Sequence, residues 1–165
     1  MSGRLMAAGL TDGYELRFER LLDAPRANVW RCWSEPALLE QWFHPPSWTT
    51  EVRVSEQHPG GASHIVMYGP NGEESDGVGV FLEAVPERRL VFTNAYRSGW
   101  IPSVPPSGVP LRTMIIEMSD EGGRTRYIVR ALHWNEEARK QHEETGFHGG
   151  WKQTSRQLEA LARTL

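Results

Sequence analysis

The first forty residues alternate between apolar and polar positions in a way that predicts one strand and two short helices. From 14 to 22, apolar residues occupy most alternate positions and charged residues lie between them, as in a half-buried strand. The segment 25–33 carries an apolar helical face built around two tryptophans. A second helix is expected after Pro36, and it ends before Pro45-Pro46 because successive prolines cannot continue a helix.

The middle of the chain is predicted to form strands separated by short turns. Turn signals such as Pro-Asn-Gly at 70–72 divide runs rich in valine, threonine and isoleucine. The segment 94–110 is a proline-rich loop, and loops of this length in compact domains are commonly lids or disordered segments. The predicted strands span 48–55, 62–68, 78–85, 88–93, 111–118 and 124–133.

The last thirty residues are predicted to form one long helix. Asn135 is a suitable N-cap, and the glycines at 149–150 weaken the middle of the helix. Beyond Trp151, Leu158, Leu161 and Leu165 recur at helical spacing among charged residues. This helix is the predicted element that is long enough to cover one face of a sheet.

Together these elements predict an α+β fold, in which a curved antiparallel sheet of about six or seven strands wraps around the C-terminal helix. A length of 165 residues is typical of one domain. We expect that domain to span 13–165, with a flexible lead-in over 1–12. Trp30, Trp33 and Trp42 lie in the two short helices, and such bulky side chains are expected to wall an apolar space between sheet and helix.

Composition excludes several classes of function. The net charge is −3, and the absence of a basic stripe argues against a nucleic-acid partner. The sequence has no apolar run long enough for membrane insertion. The one cysteine, Cys32, cannot form a disulfide within the chain, which makes a reducing cytoplasm the expected location.

Five segments resemble bacterial relatives of the C-terminal domain of the activator of heat-shock protein 90 ATPase, an AHSA-type family of the START-like, birch-pollen-allergen-like superfamily. The resemblance covers about 14–165 and implies a helix-grip fold with a cavity that opens near the two short helices. It implies that relatives are small-ligand binders or stress-response proteins, with no single activity. The segments are RLLDAPRANVWRCWSEPALLEQWF (20–43), HPGGASHIVMYGPNGEE (58–74), GVGVFLEAVPERRLVFT (77–93), GGRTRYIVRA (122–131) and GFHGGWKQTSRQLEAL (146–161).

The resemblance also bears on particular positions. It places Ser63, Ile65 and Met67 on the inward face of their strand, whereas His64 and Val66 face outward. Relatives often carry an aromatic residue at the position of Ser63, so the smaller serine is expected to enlarge the cavity. The eukaryotic activator has a separate N-terminal domain that contacts the chaperone. With 165 residues, this chain is not expected to include that domain. We therefore do not expect it to activate an ATPase, although contact with a chaperone stays an alternative.

The sequence contains no recognisable catalytic or metal-binding pattern. The six histidines show no HExxH or H-x-x-x-H spacing, so no metal or other cofactor is expected. No Gly-x-Ser-x-Gly motif indicates a nucleophile elbow. Glu83 is expected to form a structural ion pair with Arg20, because an unpaired buried charge is strongly unfavourable.

The candidate site is the cavity itself. His133 lies on the same strand face as Val129 and Ala131, so it is expected to point inward near the strand end. It is either a polar anchor for a ligand or a hydrogen-bonded histidine at the rim. Trp100 and Ile101 are either a lid or a contact to the sheet edge or a second subunit, which leaves a homodimer open. His44 and His133 are expected to orient the ligand. The residues predicted to line the cavity are Trp30, Trp42, His44, Met67, Phe81, Trp100, His133, Phe147 and Trp151.

Three functions are compatible with this sequence. The first is non-catalytic binding of a small, mostly apolar molecule between the sheet and the last helix. The second is a cyclase- or hydrolase-like enzyme that uses the same cavity and requires a polar pair with perturbed pKa values. The third is a chaperone-associated or dimerising stress-response protein, which requires an exposed apolar patch.

Overall fold

A computed structural model describes residues 13–165 and contains nine strands and four helices in this range. The flexible lead-in predicted for 1–12 lies outside the described residues. The strands are β1 (Glu15–Leu22), β2 (Thr49–Ser55), β3 (Ala62–Tyr68), β4 (Glu74–Val85), β5 (Arg89–Thr93), β6 (Tyr96–Arg97), β7 (Ile101–Pro102), β8 (Arg112–Glu121) and β9 (Arg124–His133). The helices are α1 (Arg26–Ser34), α2 (Pro36–Leu39), α3 (Glu136–Glu144) and α4 (Phe147–Ala162).

Seven strands form one antiparallel sheet in the order β1-β9-β8-β5-β4-β3-β2. Neighbouring strands are mostly joined by short turns, whereas β1 pairs with the last strand of the chain, with Phe18 opposite Val129. Register shifts interrupt the pairing of β2 with β3 and of β4 with β5, and such bulges sharpen the bend of a sheet. The predicted α+β class with a seven-stranded sheet and a C-terminal helix is confirmed.

The outer face of the sheet carries a ladder of ion pairs across neighbouring strands. Glu83 accepts from Arg89 at 3.0 Å, and Arg89 also donates to Glu117 at 2.9 Å. Arg130 continues the ladder to Glu15 at 2.7 Å. The predicted pairing of Glu83 with Arg20 is wrong, because Glu83 lies on this outer face.

Arg20 is instead paired with the last helix. Its guanidinium donates to Glu159 of α4 at 3.0 Å. The same carboxylate accepts from the backbone N–H of Asp23 at 2.7 Å. The Glu159 carboxylate therefore links α4 to the end of β1, where the chain turns toward α1.

The tryptophans of α1 and the following turn help to form the core. Trp33 lies at the centre, with ring centroids 5.0 Å from Trp42 and 6.3 Å from Trp151. Phe92 of β5 packs on the same indole at 6.1 Å. Trp42 is 0% exposed and donates to the carbonyl of Cys32 at 2.9 Å. These rings interlock between α1, α4 and the sheet, so the apolar space that they were expected to wall is filled at this point.

The C-terminal region is two helices, which corrects the prediction of one long helix. The predicted cap is confirmed, since the Asn135 side chain accepts from the N–H of Ala138 at 2.8 Å. The break falls at Gly146, whose φ of 101° is left-handed, and not at the glycines 149–150, which are helical. Glycine adopts this conformation without the steric cost of a Cβ. The chain therefore turns between α3 and α4, and only α4 packs in the main core through Phe147, Leu158 and Ala162.

Candidate functional site

A cavity of about 670 Å³ lies between the inner faces of β3, β4 and β5, the start of β8, helix α3 and the proline-rich segment 103–110. Ser63, Ile65 and Met67 all border it, on the face that the family resemblance assigned to them. Apolar groups from Phe92, Met114 and the prolines of the loop provide most of the surface. The cavity is therefore displaced from the aromatic cluster toward the middle of the sheet.

Small residues on β4 create this space. Ser75, Gly77 and Gly79 follow one another at every second position and face the cavity, because alternate residues of a strand share a face. A Cβ built on Gly79 would lie 2.2 Å from the carbonyl oxygen of Thr93. The backbones of β4 and β5 thus approach closely at a position that only glycine can occupy without displacement.

The proline-rich segment forms a wall whose two ends are held together. Asn94 donates through Nδ2 to the carbonyl of Pro110 at 3.0 Å and accepts through Oδ1 from the N–H of Arg112 at 2.8 Å. Farther out, Gln141 of α3 donates to the carbonyl of Gly108 at 2.9 Å. Side chains from the sheet and from α3 therefore keep the segment over the cavity.

A second cavity of about 350 Å³ lies between the end of the α2 region and the first turns of α4. His44, Phe147 and Trp151 border it. Both cavities touch the same four residues, so these side chains stand at the boundary between them. The shared residues are Phe43, Met67, His142 and Thr145.

Two histidines form a chain of hydrogen bonds beside this boundary. His133 is 2% exposed, with Nδ1 2.9 Å from the carbonyl oxygen of Tyr14 and Nε2 2.8 Å from Nδ1 of His142. A carbonyl can only accept, so neutral His133 donates through Nδ1 and accepts through Nε2 from the N–H of His142. This arrangement leaves Nε2 of His142 unprotonated.

The surroundings favour the neutral form of both rings. Burial, together with the charge of Arg112, lowers the pKa of His142 to about 4. Burial is also the main cause that lowers the pKa of His133, while Arg112 and Arg139 add to the effect. The hydrogen bond to Tyr14 acts in the opposite direction. Both rings are therefore neutral at physiological pH.

The predicted site residues do not share one place: they are divided among the two cavities, the core and the surface. Met67 borders both cavities, and His44, Phe147 and Trp151 border the smaller one. Trp42 and Phe81 are buried in the core, and Trp30 packs against its edge. His133 stands behind His142 and borders neither cavity. Among the described residues, Trp30, Trp42 and Phe81 likewise make no contact with either space.

Trp100 occupies a surface position. It is 55% exposed, and its ring lies edge-on to Tyr96 with centroids 6.1 Å apart. A Cβ built on Gly60 would be 3.2 Å from Cζ2 of Trp100, so the indole rests on the turn before β3. Trp100 thus packs against the sheet edge, while residues 103–110 cover the cavity.

Sequence reasoning missed several residues that border the larger cavity. Arg112 and His142 were not singled out as cavity residues, although both face it. The alternation of small residues at 75, 77 and 79 was the available signal for a hollow on the inner face of β4. His142 carried no such signal, because its placement depends on the turn at Gly146.

The structure offers no support for metal or thiol chemistry in its described part. Residues 13–165 contain no cluster of three or more histidine, cysteine or acidic side chains that could hold a metal ion. Burial raises the pKa of the Cys32 thiol to about 11, so the thiolate required for reactivity is scarce near neutral pH. None of the helices in this range has the length and apolar character needed to cross a membrane.

Solved structures share this fold. A protein of Nitrosomonas europaea is 38% identical, with a TM-score of 0.85 over 94% of this chain and 97% of its own. A protein of Mycobacterium smegmatis is 23% identical, with a TM-score of 0.75 over 93% of both chains. A protein of Arthrobacter aurescens is 22% identical, with a TM-score of 0.79 over 93% of this chain and 88% of its own. The last two likenesses concern the fold alone.

No curated protein matches this chain significantly. The family described as activator of Hsp90 ATPase homolog 1-like protein matches residues 23–163, which span all but the first strand and the chain ends. The described elements and the similarity to the Nitrosomonas europaea structure agree with this match. The chain therefore belongs to the family of activator of Hsp90 ATPase homolog 1-like proteins.

Proposed function

We propose that this protein binds a small, mostly apolar molecule in the larger cavity. The observation that supports the proposal is a space of about 670 Å³ between the inner face of the sheet and the segment 103–110. Ligand pockets commonly occupy roughly 300–1,000 Å³ and combine apolar walls with a few polar groups. Family membership is consistent with such a ligand-binding fold.

The residues that line the larger cavity favour an elongated apolar ligand. Ile65, Met67 and Phe92 provide the sheet side of the space, and the segment 103–110 provides the opposite side. Each Å² of apolar surface removed from water contributes roughly 25 cal/mol before the cost of association is subtracted. Methionine side chains adapt their shape readily, which suits a site that accepts related molecules. Met67 also lies at the boundary, from which a guest could extend into the smaller cavity.

Filling the cavity tests the proposal. In Ser63→Phe the ring would project from the inner face of β3 into the space, whereas Ser119→Phe adds the same bulk at an exposed position of β8. We expect native mass spectrometry to detect a bound small molecule, or added 1-decanol, on the wild type and on Ser119→Phe, with at least about tenfold weaker binding to Ser63→Phe. Equal binding to all three would contradict this location, and no binding to the wild type would contradict the function.

An enzyme that uses the same space is a second candidate, because His133 and His142 form a polar pair with lowered pKa values beside it. The unprotonated Nε2 of His142 could accept a proton from a substrate. A pKa of about 4 makes it a weak base near neutral pH, where efficient general bases have pKa values close to the operating pH. Binding without turnover is therefore the better supported function. Turnover that His142→Gln abolishes, with the fold intact, would reverse this preference.

A contact surface for a chaperone or a second copy is a weaker candidate. Trp100, Ile101 and Val104 are 55%, 46% and 95% exposed. Val104 belongs to the segment 103–110 that covers the cavity, and Trp100 and Ile101 precede that segment, so a partner there would change access to the cavity. Size-exclusion chromatography with light scattering, comparing the wild type with Trp100→Ser, measures whether this surface joins two copies. A monomer for both proteins would remove the dimer.

A further inference from the structure

Arg112 differs from the other arginines of the described chain because it is neither paired with a carboxylate nor fully exposed to water. Among residues 13–165, the arginines with no carboxylate oxygen within 4.0 Å are Arg88, Arg97, Arg112, Arg156 and Arg163. Four of these are exposed, and water solvates their charge. Arg112 is only partly exposed, and burial lowers the pKa of its guanidinium. A cation in this environment calls for a negative partner.

Most of the hydrogen-bond donors of Arg112 remain available. A guanidinium carries five N–H donors, and the contact seen for this one is Nη1 at 3.5 Å from the carbonyl of Pro110. Within the described chain, Arg26 Nε is the one fully buried side-chain nitrogen or oxygen atom that lacks a hydrogen-bond partner. The unused donors of Arg112 are therefore not sealed inside the protein. Since Arg112 borders the larger cavity, they are accessible from that space.

The neighbours of Arg112 supply no negative charge. His133 is its cross-strand partner, and both His133 and His142 are held neutral, partly by the charge of Arg112 itself. Asp76 also borders the cavity, but it lies at the edge and is paired with His64 at 2.5 Å. The other polar residues around the space are hydroxyl and amide side chains. One end of a mostly apolar cavity is thus electropositive.

We propose that the ligand is an amphipathic anion whose head group, a carboxylate or phosphate, binds to Arg112. The planar guanidinium donates two parallel hydrogen bonds to either group. The apolar remainder of the ligand would then lie along Ile65, Met67 and Phe92 on the sheet side. The inference rests on the proposed function, because it identifies the chemical class of molecule that the same cavity accepts.

Probes of equal chain length separate the head group from the tail. Decanoate, decyl phosphate and 1-decanol are titrated into the wild type below their micelle-forming concentrations, with isothermal calorimetry as the readout. Hydrogen bonds to charged groups are stronger than those between neutral groups, so we expect at least one anion to bind about tenfold or more tightly than decanol. The ratio of decanoate to decyl phosphate identifies which anion fits better. Equal affinities for all three probes would overturn the inference.

Variants of Arg112 locate the preference. Arg112→Met retains the length of the side chain without its charge, and we expect it to lose about tenfold in anion affinity while decanol binding changes less than about twofold. Arg112→Lys keeps a charge without the planar pair of donors, so its preference should be intermediate. Arg97→Met, an exposed arginine that also lacks a carboxylate partner, is the matched control and should behave as the wild type.

The outcomes distinguish the two proposals. If decanol and the anions bind equally, and Ser63→Phe blocks all three, the cavity binds ligands but Arg112 does not select them. If no probe binds to the wild type, both proposals are contradicted. Should Arg112→Met fail to fold by circular dichroism, the wild-type ratios and the lysine variant still decide. An anion preference that persists at full strength in a folded Arg112→Met would assign the head group to another residue.

Discussion

At the scale of single residues, the site depends on a few side chains whose charge is set by burial. An exposed histidine can bind a proton near neutral pH, whereas burial and the charge of Arg112 keep His142 neutral. The Tyr14 carbonyl fixes the tautomer of His133, and the hydrogen bond between the two rings then fixes the tautomer of His142. The end of the cavity therefore combines one permanent cation with the neutral ring of His142, and neutral His133 lies behind that ring, so the charge there does not depend on pH near neutrality.

The neutral histidines predict a specific pH dependence of stability. Because their pKa values are lowered from 6.5 in the folded state, the unfolded chain binds protons first as the pH falls. We expect the free energy of unfolding to decrease between about pH 6.5 and 4, by an amount on the order of 1 kcal/mol. Urea unfolding at pH 7.5, 6.5, 5.5 and 4.5 measures this loss.

His142→Gln removes one of the two groups and should flatten the stability profile in that window. His58→Gln, at an exposed position, is the control and should retain the wild-type slope. An identical slope for the wild type and His142→Gln would show that the folded protein accepts the proton at His142 without cost.

Two glycines of β4 give opposite expectations for the same substitution. In Gly79→Ala the new Cβ would meet the Thr93 carbonyl at 2.2 Å, so the backbones of β4 and β5 must separate. In Gly77→Ala the nearest atom is the Ile65 carbonyl at 3.5 Å, an ordinary contact. We expect Gly79→Ala to destabilise by roughly 2–4 kcal/mol and Gly77→Ala by less than about 1 kcal/mol. Denaturant unfolding compares them, and similar values would mean that the strands yield at Gly79.

At the scale of elements, the strands were more predictable than the helices. Period-two alternation identified β1, β3 and β9 close to their observed bounds, because burial of one face imposes that pattern directly. The start of β4 at Glu74 was missed, since glycines and polar residues at 74–79 resemble a turn and not a strand. The break between α3 and α4 was also missed. A glycine signals a possible turn but does not say whether its backbone is left-handed, so Gly146 could not be distinguished from Gly149 and Gly150.

Left-handed Gly146 and helical Gly149 predict opposite effects of a substitution by alanine. Gly146 has φ 101°, where a Cβ costs about 1 kcal/mol. Gly149 is helical and has no atom within 4 Å of a built Cβ, so alanine there should stabilise by up to about 1 kcal/mol. Thermal unfolding of Gly146→Ala and Gly149→Ala should therefore shift in opposite directions. Shifts of the same sign would contradict the assigned turn.

At the scale of the whole molecule, the architecture followed from the order of strands and helices, whereas the position of the cavity did not. The seven-stranded sheet and its helix could be predicted because each element must bury an apolar face. The tryptophans suggested a hollow close to α1 and α2, yet Trp33 packs against both Trp42 and Trp151 and fills the space between them. Which aromatic side chains interlock and which leave a gap depends on distances across the sheet. These distances are not encoded in local periodicity.

Residues that were predicted to surround a ligand are therefore divided among the core, the two cavities and, for Trp100, the surface, and His133 lies behind His142. Met67 borders both cavities, on the face to which strand parity and the family resemblance assigned it. Arg112 was missed because a strand-end arginine is usually solvated, and its isolation from carboxylates becomes visible only when neighbouring strands are in place. A half-buried cation without a carboxylate partner is a property of the assembled molecule and not of any one segment.

The contacts of Asn94 have a consequence for how such a binding protein could diversify. Because this one amide joins the residues on either side of the 95–109 segment, the segment begins and ends at nearly the same point beside the sheet. Its length and composition can then change while the seven strands keep their register. New specificities could arise by exchanging this cover alone, with Arg112 left in place at its base.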